Sequence, residues 1–180
     1  MSSRRRSAGS LPMCALFTAL LCAASQIKIP LPGVPLSLSL LAVHLCAMLL
    51  VPKQAVLSIL AYLLLGLCGV PVFAGFASGP AALLGPTGGF LLSYPLCALC
   101  TALLIRRFGH SCRRLFFFAL VSASLCMVLG VSWFMLITAA PFSLASIAYW
   151  LLYIPGDVLK AALASALAVR LFAPIKSISA

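Results

Sequence analysis

Acid is nearly absent from this sequence: among 180 residues there is one carboxylate side chain, Asp157, and all charged residues together make up 7%. A soluble domain carries roughly 25% charged residues, so no water-facing surface can be built from this inventory. One acid also excludes chemistry by paired carboxylates. No G-x-x-x-x-G-K-[ST] stretch is present, so energy from ATP would have to come from another protein. Histidine is scarce as well. His44 falls in an apolar run and His110 among arginines, neither with a carboxylate neighbour in sequence, which reads as one core and one loop histidine. The lone C-x-x-C at Cys97 and Cys100 has no second pair to complete a metal site. The eight cysteines fall almost entirely in apolar stretches, where Cys behaves as a small hydrophobe. No catalytic residue, metal or cofactor is therefore expected.

What is present is apolar: 64% of the chain is hydrophobic. The net charge of +11 could point to nucleic acid, but placement decides against it. Ten of the twelve basic residues (Arg4, Arg5, Arg6, Lys53, Arg106, Arg107, Arg113, Arg114, Arg170 and Lys176) sit in short breaks between apolar stretches or near chain ends. That is the pattern of cytoplasmic loops around membrane spans. Taking about 17–20 apolar residues per span, six candidates emerge, at 11–27, 37–51, 54–71, 87–105, 115–140 and 155–172. The expected fold is an all-α membrane protein of six transmembrane helices, N-in and C-in, in a lipid bilayer. It forms one domain: a basic N-terminus at 1–10, the bundle at 11–172 and a tail at 173–180. The basic start followed by an apolar run imitates a cleavable signal. Continuation of the apolar pattern favours an uncleaved first helix.

Breakers mark the outer side. Pro30, Pro32 and Pro35, three prolines in six residues, forbid helix between the first two spans. An apolar irregular segment must lie against protein or cover a cavity, so it reads as a lid, with a tight connector as the competing reading. Seven of the twelve glycines fall between Gly66 and Gly89, a backbone-rich loop able to offer N–H and C=O groups to a small molecule, or else a plain connector. Tyr149, Trp150 and Tyr153 cluster before Pro155, as interfacial aromatics or as a stacking wall for a ring ligand.

Asp157 is the most informative residue. Pro155 suits the first turn of a helix, which places Asp157 near free backbone N–H groups and the positive helix end. Lys160 follows at i+3 on the same face. An acid and a base one turn apart at membrane depth are a functional-site hypothesis by default; the competing reading is a helix cap with an internal ion pair. In the first span Ala15, Ala19 and Ala23 recur every four residues, a spacing that lets another helix approach closely or serves internal packing.

Four stretches, Gln26-Ile-Lys-Ile-Pro-Leu-Pro-Gly-Val-Pro35, Leu65-Gly-Leu-Cys-Gly-Val-Pro-Val-Phe-Ala-Gly75, Leu84-Gly-Pro-Thr-Gly-Gly-Phe90 and Ile154-Pro-Gly-Asp-Val-Leu-Lys-Ala161, in this order resemble the BioY family over nearly the whole chain. The resemblance implies a six-helix substrate-binding (S) component of an energy-coupling factor (ECF) importer, in a bacterial inner membrane, that captures biotin near the outer face. It implies partners too: a transmembrane coupling (T) protein and cytoplasmic ABC-type ATPases. Ala15, Ala19 and Ala23 would be the docking face, or a face for self-association. Asp157 and Lys160 would line the biotin site, where the ureido ring offers two N–H donors to the carboxylate and one C=O to the ammonium. Phe73, Phe76 and Tyr149 are candidates for the apolar wall, and backbone at Gly75 and Thr87 for completing it. Two departures matter: some relatives place an asparagine at the Gly75 position, and a glutamine is frequent at the Ser39 position. No group is assigned to the carboxylate tail of biotin, for which Lys28 is the cation to hand. The rivals are the same architecture with another small vitamin, and a membrane scaffold that binds no small ligand.

Overall fold

A computed structural model describes residues 10–29, 36–139, 151 and 153–178. Over these the chain runs through α1 (Ser10–Gln26), α2 (Ser39–Leu49), α3 (Pro52–Leu67), the short α4 (Pro80–Leu84), α5 (Gly88–Phe108), α6 (Cys112–Thr138) and α7 (Ile154–Ile178). Between α1 and α2, β1 (Lys28–Ile29) and β2 (Leu36–Ser37) make a two-residue antiparallel ladder, Lys28 opposite Ser37 and Ile29 opposite Leu36. The proline-rich residues 30–35, the arginines at 4–6, and Tyr149 with Trp150 lie outside the described residues.

Prolines and glycines set the helix ends. Val51 is extended (φ −68°, ψ 152°), as the residue before a proline must be, and Pro52 opens α3 at its first position. The break therefore falls earlier than a hydrophobic run alone indicates. The second span expected at 37–51 is instead an 11-residue helix, roughly 16 Å long, about half a bilayer's hydrocarbon core. Of its residues only Leu41 and Leu49 escape full burial. α2 packs on α1, α3, α5 and α7, so it is enclosed by protein rather than by lipid. α4 is an addition to the expected elements: Gly79 (φ 78°) turns the chain into Pro80, and one turn of helix forms inside the glycine-rich loop.

The packing is inverted relative to a water-soluble bundle. On α5, Leu92, Leu96, Leu99 and Leu103 form an exposed stripe at helical spacing, while Tyr94, Cys97, Ala98, Thr101 and Ala102 face inward. On α7, Leu159, Leu163 and Leu167 point out and Ala161, Ala164 and Ala168 are buried. Large apolar residues outside and small ones between helices are what lipid selects, since tails solvate leucine as well as a core does. Polar glue joins the helices. Thr18 Oγ1 donates to Ser58 O at 3.0 Å, and Ser122 Oγ donates to Cys97 O at 3.1 Å. α5 (21 residues, mean hydropathy 1.9) and α6 (27 residues, 2.3) are each long and apolar enough to cross a membrane.

One end of the bundle gathers cations. Lys53 opens α3, Arg106 and Arg107 close α5, and Arg113 and Arg114 open α6. At the opposite end the loop after α3 is tied to α1. Ser25 Oγ donates to Val72 O, Gln26 Nε2 donates to Phe73 O at 3.1 Å, and Phe76 N–H donates to Gln26 Oε1 at 3.0 Å. Phe73, 2% exposed, seats its ring against the Cα of Gly66, where a Cβ would occupy the ring's place.

Candidate functional site

At the end away from the cations, the starts of α2, α5 and α7, the middle of α6 and the tied-down loop after α3 surround a cavity of about 170 Å³. A water takes about 30 Å³ of the liquid, so this is room for several waters or a compact ring, too large to be a packing flaw.

Its charge comes from two residues. Lys160 Nζ donates to Asp157 Oδ1 at 2.9 Å, with the two side chains 7% and 14% exposed. They sit one turn apart because α7 opens at Ile154 with Pro155 in its first turn, which puts Asp157 beside the positive helix end. Removing two ions from water is costly, and their mutual attraction offsets this only when further hydrogen bonds complete the geometry. The pair uses one of the ammonium's three donors and one carboxylate oxygen. The remaining valences border the cavity, where a ligand can complete them.

Hydroxyls line the same cavity. Ser37 Oγ and Ser39 Oγ lie 2.5 Å apart, and Ser39 Oγ is 2.7 Å from Tyr94 OH, a chain running from β2 to the heart of α5. Phe73 supplies an apolar wall, held edge-to-face on Tyr62 with centroids 5.4 Å apart and planes at 81°. Thr87, Phe90 and Tyr153 close the sides.

Of the residues singled out from sequence, Asp157, Lys160, Phe73, Thr87 and Tyr153 come together here. Gly75 and Phe76 are not among the walls: they form a left-handed pair (φ 74° and 60°) at the tip of the turn, and the Phe76 ring is 70% exposed. Tyr149 lies outside the described residues. Ala15, Ala19 and Ala23 are exposed along α1 and line a separate apolar groove between α1 and α3. Sequence reasoning missed Tyr62 and Tyr94. Both are tyrosines deep within apolar helices rather than at their ends, a position that interfacial anchoring does not account for. His44 is fully buried in α2, and neither ring nitrogen has a hydrogen-bond partner among the described residues.

The chain as a whole has known relatives. The BioY family model matches residues 1–177. The chain belongs to the BioY family. A probable biotin transporter BioY of Pyrococcus horikoshii is 37% identical over 91% of this chain and 96% of its own length. Biotin transporter BioY2 of Lactococcus lactis is 38% identical over 76% of this chain and 75% of its own. In three dimensions the chain is similar to the S-component for biotin from an ECF-type ABC transporter, known from a 2.1 Å crystal structure, with TM-score 0.85, 26% identity and coverage of 95% and 94% of the two chains. The BioY family is one of membrane transport proteins, and its members bind and deliver a substrate rather than transform it.

Proposed function

We propose that this chain is the biotin-capturing S component of an ECF-type importer in a cell membrane. It binds biotin from outside and hands it inward together with a T protein and a pair of cytoplasmic ATPases. The observation that carries the reading is the Asp157–Lys160 pair, bonded at 2.9 Å in the wall of an otherwise apolar and hydroxyl-lined cavity. A cyclic urea matches it: two N–H donors face a carboxylate, and one carbonyl faces an ammonium. The fused rings and their sulfur suit the aromatic wall of Phe73 and its neighbours. The six-helix bundle spans the membrane, the short α2 enclosed within it, with the cation-rich end inside, which turns the cavity outward. Ala15, Ala19 and Ala23 offer the T protein a smooth face on α1.

Calorimetric titration of the purified protein in detergent with biotin, thiamine and riboflavin tests the ligand assignment. Biotin alone should bind and should raise the melting temperature, as a ligand at 100 times its Kd adds about 2.7 kcal/mol. Binding of another vitamin without biotin sinks the assignment, and silence from all three returns the scaffold reading.

A further inference from the structure

The Asp157–Lys160 pair accounts for the ureido end of biotin, but the molecule carries a carboxylate at the end of its pentanoate tail. We propose that Lys28 holds that carboxylate, an inference that rests on the biotin reading above.

Three observations place Lys28 for the task. In the antiparallel ladder Lys28 stands directly opposite Ser37, and residues so paired project on the same face of the ladder. Ser37 lines the cavity and starts the hydroxyl chain to Tyr94, so the Lys28 side chain leaves the ladder on the cavity's side. Its ammonium rests on Gly75 at the tip of the turn that supplies the Phe73 wall, and a Cβ at Gly75 would collide with Nζ. Gly75 is therefore needed twice, for its φ of 74° and for the room it leaves the ammonium. The third is charge. The single carboxylate side chain of the protein belongs to Lys160, so no side chain can neutralise Lys28.

Among the described residues Lys28 and Lys160 are the cations at the cavity end; Lys53, Arg106, Arg107, Arg113 and Arg114 cluster at the far end, and Arg170 and Lys176 follow in the C-terminal part of α7, which leads away from the cavity. A ligand seated with its ring on Asp157 and Lys160 and its tail toward the opening meets Lys28 at the rim. The exposed position means the contact is screened and modest. It selects for a free carboxylate rather than supplying most of the affinity.

The test compares biotin with biotin amide, which keeps the rings and loses the charge, on wild type, Lys28→Met, Lys28→Arg and Gly75→Ala. Wild type should prefer biotin by about three- to tenfold, the range between an exposed ion pair and a charge-assisted hydrogen bond. The preference should shrink in high salt. Lys28→Met should bind the amide as wild type does and lose the preference, and Lys28→Arg should restore it. Gly75→Ala, which pushes the ammonium aside, should behave like Lys28→Met. An unchanged preference in Lys28→Met overturns the assignment. So does an equal loss for both ligands, which would make Lys28 a prop for the ladder. If wild type binds neither compound, the biotin reading itself falls.

Discussion

Asp157 and Lys160 each keep hydrogen-bonding capacity on the cavity side, and that is where single substitutions should separate binding from stability. Asp157→Asn replaces a charged acceptor with an amide that also presents a donor. It should weaken biotin binding by about ten- to a hundredfold, the worth of a charge-assisted bond, and this loss should exceed the destabilisation of the unliganded protein that comes from leaving Lys160 unpaired. Lys160→Met should weaken binding too, and the double variant should lose less than the two losses combined, because both residues meet one ligand on one helix face. Isothermal titration of the three proteins measures this; wild-type affinity in the Asn variant would reduce the pair to a helix-end feature. Tyr94→Phe removes a hydroxyl from the end of the Ser37–Ser39 chain. The loss expected is that of a neutral hydrogen bond, about two- to tenfold in affinity, and an unchanged titration would show that the chain serves the fold alone. The acid–base pair could be read without a structure because a lone acid in an apolar chain has few uses. Tyr62 and Tyr94 could not, since α3 and α5 are apolar all round and spacing does not reveal which face turns inward.

α1 has two jobs at the scale of the element. Its C-terminal Ser25 and Gln26 tie down the turn at 72–76 that walls the cavity, and its outer face carries the exposed Ala15, Ala19 and Ala23. Ala19 lies six residues before Ser25, about 9 Å along the axis, and on the exposed face, so a change there can be felt by a partner and not by the ligand. Ala19→Trp should leave biotin affinity of the purified protein at its wild-type value, while the T protein no longer co-purifies and uptake falls. Asp157→Asn should show the reverse, an assembled complex that captures poorly. Loss of biotin binding in Ala19→Trp would mean that the alanine stripe packs internally. Helix boundaries were readable where one residue type settles them: Pro52 opens α3, and Gly109 (φ 87°) ends α5. α2 was overestimated because Leu50 and Val51 continue the apolar run although Pro52 has already stopped the helix. α4 was hidden because its single turn lies among glycines and prolines that otherwise signal loop.

For the whole molecule the decisive property is polarity from end to end. Lys53, Arg106, Arg107, Arg113 and Arg114 occupy the end opposite the cavity, although they come from three helices and from distant parts of the chain. This follows from the antiparallel succession of helices, which returns every second connection to the same side. The loop charges could be assigned to one side from sequence for the same reason, whereas the cavity could not be drawn, since its walls come from segments scattered between Ser37 and Lys160. Short loops rich in Lys and Arg stay in the cytoplasm, so the cavity should open outward, as capture from outside requires. The check is single-cysteine labelling in a background freed of the eight native cysteines. Ser78→Cys lies in the loop beside the cavity and Ser111→Cys between the arginines, where the side chain is exposed. In intact cells a membrane-impermeant maleimide should modify position 78 and spare position 111, and permeabilised cells should show both modified. Added biotin should slow the reaction at 78, because the loop after α3 walls the cavity, and leave the reaction at 111 unaltered. Modification of 111 in intact cells would invert the molecule. The cavity would then face the cytoplasm, and uptake by outward capture would have to be abandoned even if biotin still bound.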